Sequence, residues 1–191
     1  MGYMAIEFYN YKLSESDKEY CLNHAKKMAE GFSTYSFKND QKQSLDVYNI
    51  GKIGEFAFYK FLRELKHKGL LSIKHVPFRA DYSRLNFKDD FIIEVDDKEL
   101  QIEVRTKGRG VEPKGHYECC TDCIKPHFIY VFISFNKKTD VVSVLGYANW
   151  DNFKNYATVS LSGEENNNFS HKVNEFNIKI RDLSEIGNII N

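Results

Sequence analysis

The residues Asp89-Asp90-Phe91-Ile92-Ile93-Glu94-Val95, then Asp96-Asp97-Lys98, then Glu99-Leu100-Gln101-Ile102-Glu103-Val104-Arg105-Thr106-Lys107, decide the architecture. Two runs rich in Ile, Val and Phe flank a short charged turn, the pattern of two strands joined as an antiparallel hairpin. Because strand side chains alternate, Glu103, Arg105 and Lys107 share one face while Ile102, Val104 and Thr106 take the other. One strand thus opens on a carboxylate, and the next carries an acid and two cations amid apolar residues.

Upstream of the hairpin the apolar period is helical. Residues 49–68 place Ile50, Ile53, Ala57, Phe58, Phe61, Leu62 and Leu65 on one stripe, with Gly69 as the stop and Glu55 on the flank of the stripe. An earlier helix runs from a Ser14 or Ser16 cap to about Glu30, with Leu22, Ala25 and Met28 or Ala29 as its apolar side and Gly31 ending it. Between the two, residues 32–46 read as a polar loop. Residues 70–77 are strand-like.

Downstream, residues 127–135 are apolar almost throughout, which suits a central strand covered on both faces. The gap of about twenty residues before it is long enough for a crossover containing a short helix, so a parallel pairing with the hairpin is open to it. A strand over 140–147, a helical turn over 149–156, a loop over 163–168 and an alternating strand over 173–180 complete the chain. The sum is an α/β fold, helices first and a mixed sheet after.

The 191 residues are 42% apolar and 15% aromatic, enough for one core and one domain. No apolar run of about 18 residues exists to span a bilayer, and the N-terminal residues lack the apolar stretch of a signal peptide, so a cytoplasmic protein is expected. Cys21 stands apart while Cys119, Cys120 and Cys123 crowd together, unlike the dispersed cysteines of a disulfide-stapled secreted domain. A reducing compartment fits that pattern.

The charge is 27 Lys plus Arg against 27 Asp plus Glu, which speaks against a protein that coats a polyanion. The balance is segregated, however. Residues 60–79 hold six cations against Glu64 and residues 81–103 hold eight acids against three cations, after which residues 105–126 are again net basic. Carboxylates suited to a hard divalent ion are flanked in sequence by cations suited to phosphate.

Asp90 and Glu103 can supply the one or two carboxylates that Mg²⁺ takes, with water and phosphate oxygens filling its octahedron. A nearby cation would then position the attacking water or stabilise charge on the phosphate. In Gly51-Lys52-Ile53-Gly54-Glu55, Asp90, Glu103-Val104-Arg105 and the later strand Phe128-Ile129-Tyr130-Val131-Phe132, the sequence resembles the PD-(D/E)XK nuclease superfamily, to which many restriction enzymes belong.

The resemblance covers about 49–150, a nuclease core preceded by a helical part over about 1–48 and followed by a strand and tail over 151–191. It implies a restriction-endonuclease-like fold, a mixed central β-sheet flanked by helices. It further implies that Asp90 and Glu103 hold Mg²⁺, for which Mn²⁺ would substitute, with Glu55 assisting through a water or as a further ligand. Two positions depart from the family pattern. Asp89 stands where Pro is usual, and Arg105 where Lys is usual. A guanidinium cannot be deprotonated and acts only as a charged donor, so Lys107, two residues on and on the same strand face, is a candidate to share the lysine's role.

The expected activity is Mg²⁺-dependent hydrolysis of double-stranded DNA by a restriction-type endonuclease acting as a homodimer, with two-fold symmetry matched to the site. Arg109, Lys114 and Lys52 are candidates for contact with the DNA. Two alternatives stand beside this: a phage or repair nuclease of looser specificity, and a catalytically degenerate member of the same fold that binds nucleic acid or protein, which Arg105 motivates.

Other motifs carry less. A charge-rich hairpin alone reads as an exposed hairpin, and it is Glu55 and the later apolar strand that shift the balance. His116 with Cys119, Cys120 and Cys123 invites a zinc reading, but no second Cys or His pair follows at finger spacing. His24, His67, His75, His127 and His171 are dispersed and read as structural or surface residues. No G-x-S-x-G, G-x-x-x-x-G-K-[ST] or G-x-G-x-x-G occurs. Trp150 and its aromatic neighbours read as packing a helix against the sheet.

Overall fold

The computed structural model describes residues 8–32, 41–78, 90–110, 115–120, 124–161, 165–166, 169–170 and 174–190. Its elements run β1 (Tyr9–Lys12), α1 (Glu15–Phe32), α2 (Gln41–His67), β2 (Ser72–His75), β3 (Phe91–Val95) and β4 (Lys98–Arg109). They continue with β5 (His116–Cys120), β6 (Phe128–Asn136), β7 (Val141–Ala148), α3 (Trp150–Tyr156), β8 (Thr158–Ser160), β9 (Glu165–Asn166), β10 (Phe169–Ser170) and β11 (Glu175–Lys179). Two 3₁₀ turns, Ile180–Asp182 and Ile186–Ile190, follow.

The hairpin of β3 and β4 is antiparallel, closing from Val95 to Lys98 across a two-residue turn. Asp96 and Asp97 both take left-handed backbone, φ 46° and 61°, as a turn matched to strand twist requires. β6 pairs with β4 in parallel, and β7 returns antiparallel to β6. The main sheet is therefore mixed, in the order β1-β7-β6-β4-β3-β2. A smaller sheet, β5-β11-β8, and a two-strand ribbon of β9 and β10 complete the strands.

Alternation along β6 divides the interior in two. Val131, Ile133 and Phe135 join a cluster with Ile53, Phe58, Leu62, Phe91 and Ile102, under α2. Phe128, Tyr130 and Phe132 face the other way, into a cluster with Tyr117, Phe153 and Ile178 from β5, α3 and β11. Central position explains why the run reads as apolar throughout.

Several expectations are corrected. α2 begins at Gln41, well before 49, so much of the predicted 32–46 loop is helix; residues 33–40 lie outside the described residues. α1 continues through Gly31 to Phe32, its start held by Ser14, whose Oγ accepts from Asp17 N–H (3.2 Å) while Asp17 Oδ2 accepts from Ser14 N–H (2.9 Å). β1, an edge strand on β7, was not signalled by its short polar-aromatic sequence. The crossover from β4 to β6 carries the strand β5 among its described residues, not a short helix. β9 and β10 form a small ribbon where a loop is expected.

Other elements lie where the patterns put them. Gly69 ends the helical stretch in left-handed backbone, φ 72°. Asn149 caps α3 through a reciprocal pair with Asn152, and Trp150 packs edge-on against Phe176 at 6.3 Å. No described helix is long and apolar enough to cross a membrane.

Candidate active site

Helix α2 approaches β4 more closely than side chains would normally allow. A Cβ placed on Gly54 would lie 1.8 Å from Thr106 Oγ1, and one on Gly108 would lie 2.9 Å from Ile50 Cδ1. Glycine on the helix at 54 and on the strand at 108 removes the two obstacles, so the helix axis settles onto the Thr106 face. Glu55, the next residue, is carried into the sheet's margin and is 8% exposed.

That margin exists because the hairpin strands differ in length. β3 begins at Phe91, opposite Ile102, and β4 runs on to Arg109. Asp90 fills the step, its Oδ2 accepting the Val104 N–H at 2.8 Å in the place of a ladder carbonyl. Its carboxylate thus lies near the sheet plane, where Glu55 reaches it from the α2 face. Glu103 is one residue along β4, on the opposite face, and accepts from Arg105 Nη2 at 2.7 Å through Oε1.

Glu55 carries the clearest electrostatic signature. Burial, and then the Asp90 charge, push its carboxyl up to about 8, against the opposing pull of Lys52. Lys52 Nζ donates to Glu55 Oε2 at 2.6 Å and to the Pro77 carbonyl at 3.4 Å, and lies 5.7 Å from the centre of the Phe78 ring. Below the pair, Cys21 Sγ donates to the Lys52 carbonyl at 3.6 Å. Burial raises that thiol to about 12.

The residues singled out from the sequence divide accordingly. Glu55 and Asp90 come together at the step between β3 and β4, while Glu103 pairs with Arg105 on the opposite face of β4. Lys107 shares the Glu103 face but its Nζ lies over the Tyr117 ring, 5.1 Å from the centroid. Lys52, a candidate DNA contact in the sequence, is 4% exposed, and its Nζ is seated against Glu55. Its i,i+3 spacing from Glu55 on one helix was the available signal. Arg109 stacks on Tyr117 at 5.0 Å, while Lys114 and the side chains of Cys119, Cys120 and Cys123 lie outside the described residues.

Oxygen-only donors of this kind fit Mg²⁺, and the repulsion between Glu55 and Asp90 is what a divalent ion would relieve. By arrangement the two carboxylates that the fold brings together are Asp90 and Glu55. Among the described residues, no group of three or more His, Cys, Asp or Glu side chains is placed to hold one metal ion. An ion bound there would supply Lewis-acid polarisation of a phosphoryl oxygen and a more acidic water. The chain itself orients Asp90 through a backbone N–H, keeps Glu55 in a dry setting and holds guanidinium charge beside Glu103.

Comparison with known proteins finds no matching family model, no matching curated protein and no matching solved structure.

Proposed function

We propose that the chain is a metal-dependent phosphodiester hydrolase, a DNA endonuclease of restriction type that acts as a homodimer and uses Mg²⁺. The observation that carries this reading is Asp90 docked on the Val104 N–H at the open end of β3, with Glu55 close enough to feel its charge and Glu103 on the adjoining residue. The order of helix, antiparallel hairpin, crossover and parallel strand supports a restriction-endonuclease-like arrangement of the sheet.

In this reading Asp90 and Glu103 hold the ion, Glu55 assists, and Arg105 stabilises charge on the phosphate as a fixed donor. Lys52 acts on Glu55, the carboxylate it is paired with, and Lys107 lies over Tyr117. A second reading, a degenerate member that binds without cutting, is favoured by the internal cations: Lys52 and Arg105 already neutralise Glu55 and Glu103 at 2.6 and 2.7 Å.

The test incubates supercoiled plasmid with purified protein in Mg²⁺ or in chelator, for wild type, Asp90→Ala and Glu103→Ala. Metal-dependent nicking or linearisation that both substitutions abolish is expected. Titration calorimetry with Mn²⁺ adds a second readout, with heat of binding lost in Asp90→Ala. Cutting that survives both substitutions would remove the site, and salt-dependent DNA binding without cutting would establish the second reading.

A further inference from the structure

Past Ile102, the side of β4 away from β6 has no paired strand among the described residues. On the face carrying Glu103, the same strand presents Arg105, Lys107 and Arg109 at every second position. Their charged ends lie over aromatic rings: the Arg105 guanidinium is 6.0 Å from the Tyr130 centroid, and the Lys107 ammonium and Arg109 guanidinium are 5.1 and 5.0 Å from that of Tyr117. Such stacking limits the rotamers of long cationic chains before any ligand arrives.

Tyr117 is a fixed floor. It is 1% exposed, and its hydroxyl donates to the Ile133 carbonyl at 2.6 Å. Arg109 Nη2 also donates to the His116 carbonyl at 3.3 Å, which ties the end of the row to β5. Burial, then Lys107 and Arg109, lower the His116 imidazole's affinity for a proton, a sign that both cations act on the same small region.

We infer that Lys107 and Arg109 form a track for the phosphates of a polynucleotide strand, taking the two phosphates that follow the one at Asp90 and Glu103. Strand geometry sets successive same-face side chains about 6.6 Å apart. That pitch resembles the separation of neighbouring phosphates along a nucleotide chain, and a positively charged groove following the backbone is how sequence-independent contact is made. The row begins at Glu103 and extends from it in one direction, so it holds the strand on one side of the reacting phosphate. The inference rests on the polynucleotide-cutting reading above, and its test needs no cutting.

Fluorescence anisotropy with a labelled 20-nucleotide DNA, single-stranded and as a duplex, is measured in chelator across a salt series. Two lost phosphate contacts should lower the slope of log affinity against log salt by about 1.4 for the single strand and about 1.8 for the duplex. At 0.1 M salt this is a roughly 25- to 60-fold loss of affinity. Lys107→Gln with Arg109→Gln should show that change, and Lys107→Arg with Arg109→Lys, which keeps both charges, should retain the wild-type slope.

Lys66→Gln with Lys154→Gln removes two exposed cations elsewhere and should leave the slope unchanged. If the double glutamine variant fails to fold, each single substitution should take about half of the drop. A wild-type slope in the glutamine variants, an equal drop in the Lys66 and Lys154 control, or no salt-dependent binding by wild type would overturn the track. A slope that falls as expected in a protein that cuts nothing would keep the track and remove the hydrolase reading. An unchanged slope in a protein that cuts would do the reverse.

Discussion

Gly54→Ala tests whether the site depends on the close seating of α2 on β4. Helix propensity alone favours alanine at an interior helical position by about 1 kcal/mol. The new Cβ would instead meet Thr106 Oγ1 at 1.8 Å and Thr106 Cβ and Cγ2 at 2.8 Å. Comfortable contact needs about 3.5 Å, so the helix or the threonine must give by about 1.7 Å. Thr106 is β-branched, in the middle of a strand paired in parallel with β6, and has little freedom to rotate away.

Overpacking of this kind costs typically 1–3 kcal/mol, and this displacement is at the severe end, so the net loss should be about 2 kcal/mol. For a chain of this size that lowers Tm by about 4–8 °C. Urea unfolding followed by circular dichroism gives the number. Thr106→Ala should be nearly neutral alone, because Thr106 Oγ1 is buried with no hydrogen-bond partner among the described residues. In the Gly54→Ala background it should recover part of the loss, since it removes the contacts with Oγ1 at 1.8 Å and Cγ2 at 2.8 Å and leaves the one with Cβ at 2.8 Å. Gly54→Ala as stable as wild type, or no coupling between the two substitutions, would refute the argument.

Two further outcomes follow from the buried groups beside the site. Glu55 titrates near 8 in the folded protein against an ordinary 4.5, so the native state holds the extra proton between those values. Stability from this group is therefore full below about pH 4.5 and is lost as pH rises toward 8, by up to about 1.4 kcal/mol per pH unit. Glu55→Gln, with no proton to lose, should flatten the fall of the urea midpoint between pH 5 and pH 8, and parallel curves for the two proteins would contradict the assignment. Cys21 is fully buried with its thiol raised to about 12, so at pH 8 it should resist alkylation in the native protein and react on unfolding, as peptide mapping would show. Rapid native labelling would exclude that environment.

Local patterns carried much of the fold. The β3–β4 hairpin, the apolar β6, the stripe of α2 and the stop at Gly69 were all legible, because each is written in residues a few positions apart. The failures have the same origin. β1 is four residues long and is a strand because β7 offers its edge, and the first two turns of α2 carry no apolar stripe. β5 replaced an expected helix because its ladder partner, β11, lies more than fifty residues away in sequence.

For the candidate site, the sequence by itself singled out Asp90 and Glu103 as candidate carboxylates and determined the alternation that separates Glu103 from Val104 and the place of Glu55 beside an apolar helical stripe. Only the tertiary structure decided which of the charges are buried and which meet across elements. Lys107, nearer to Glu103 in sequence, turns onto Tyr117, whereas Lys52 and Glu55, one helical turn apart, are both buried where α2 meets the sheet. The physical reason is that alternation and helical period fix directions within one element. Which charges become neighbours depends on how far two elements can approach, and here that is set by the absent side chain of Gly54 against Thr106.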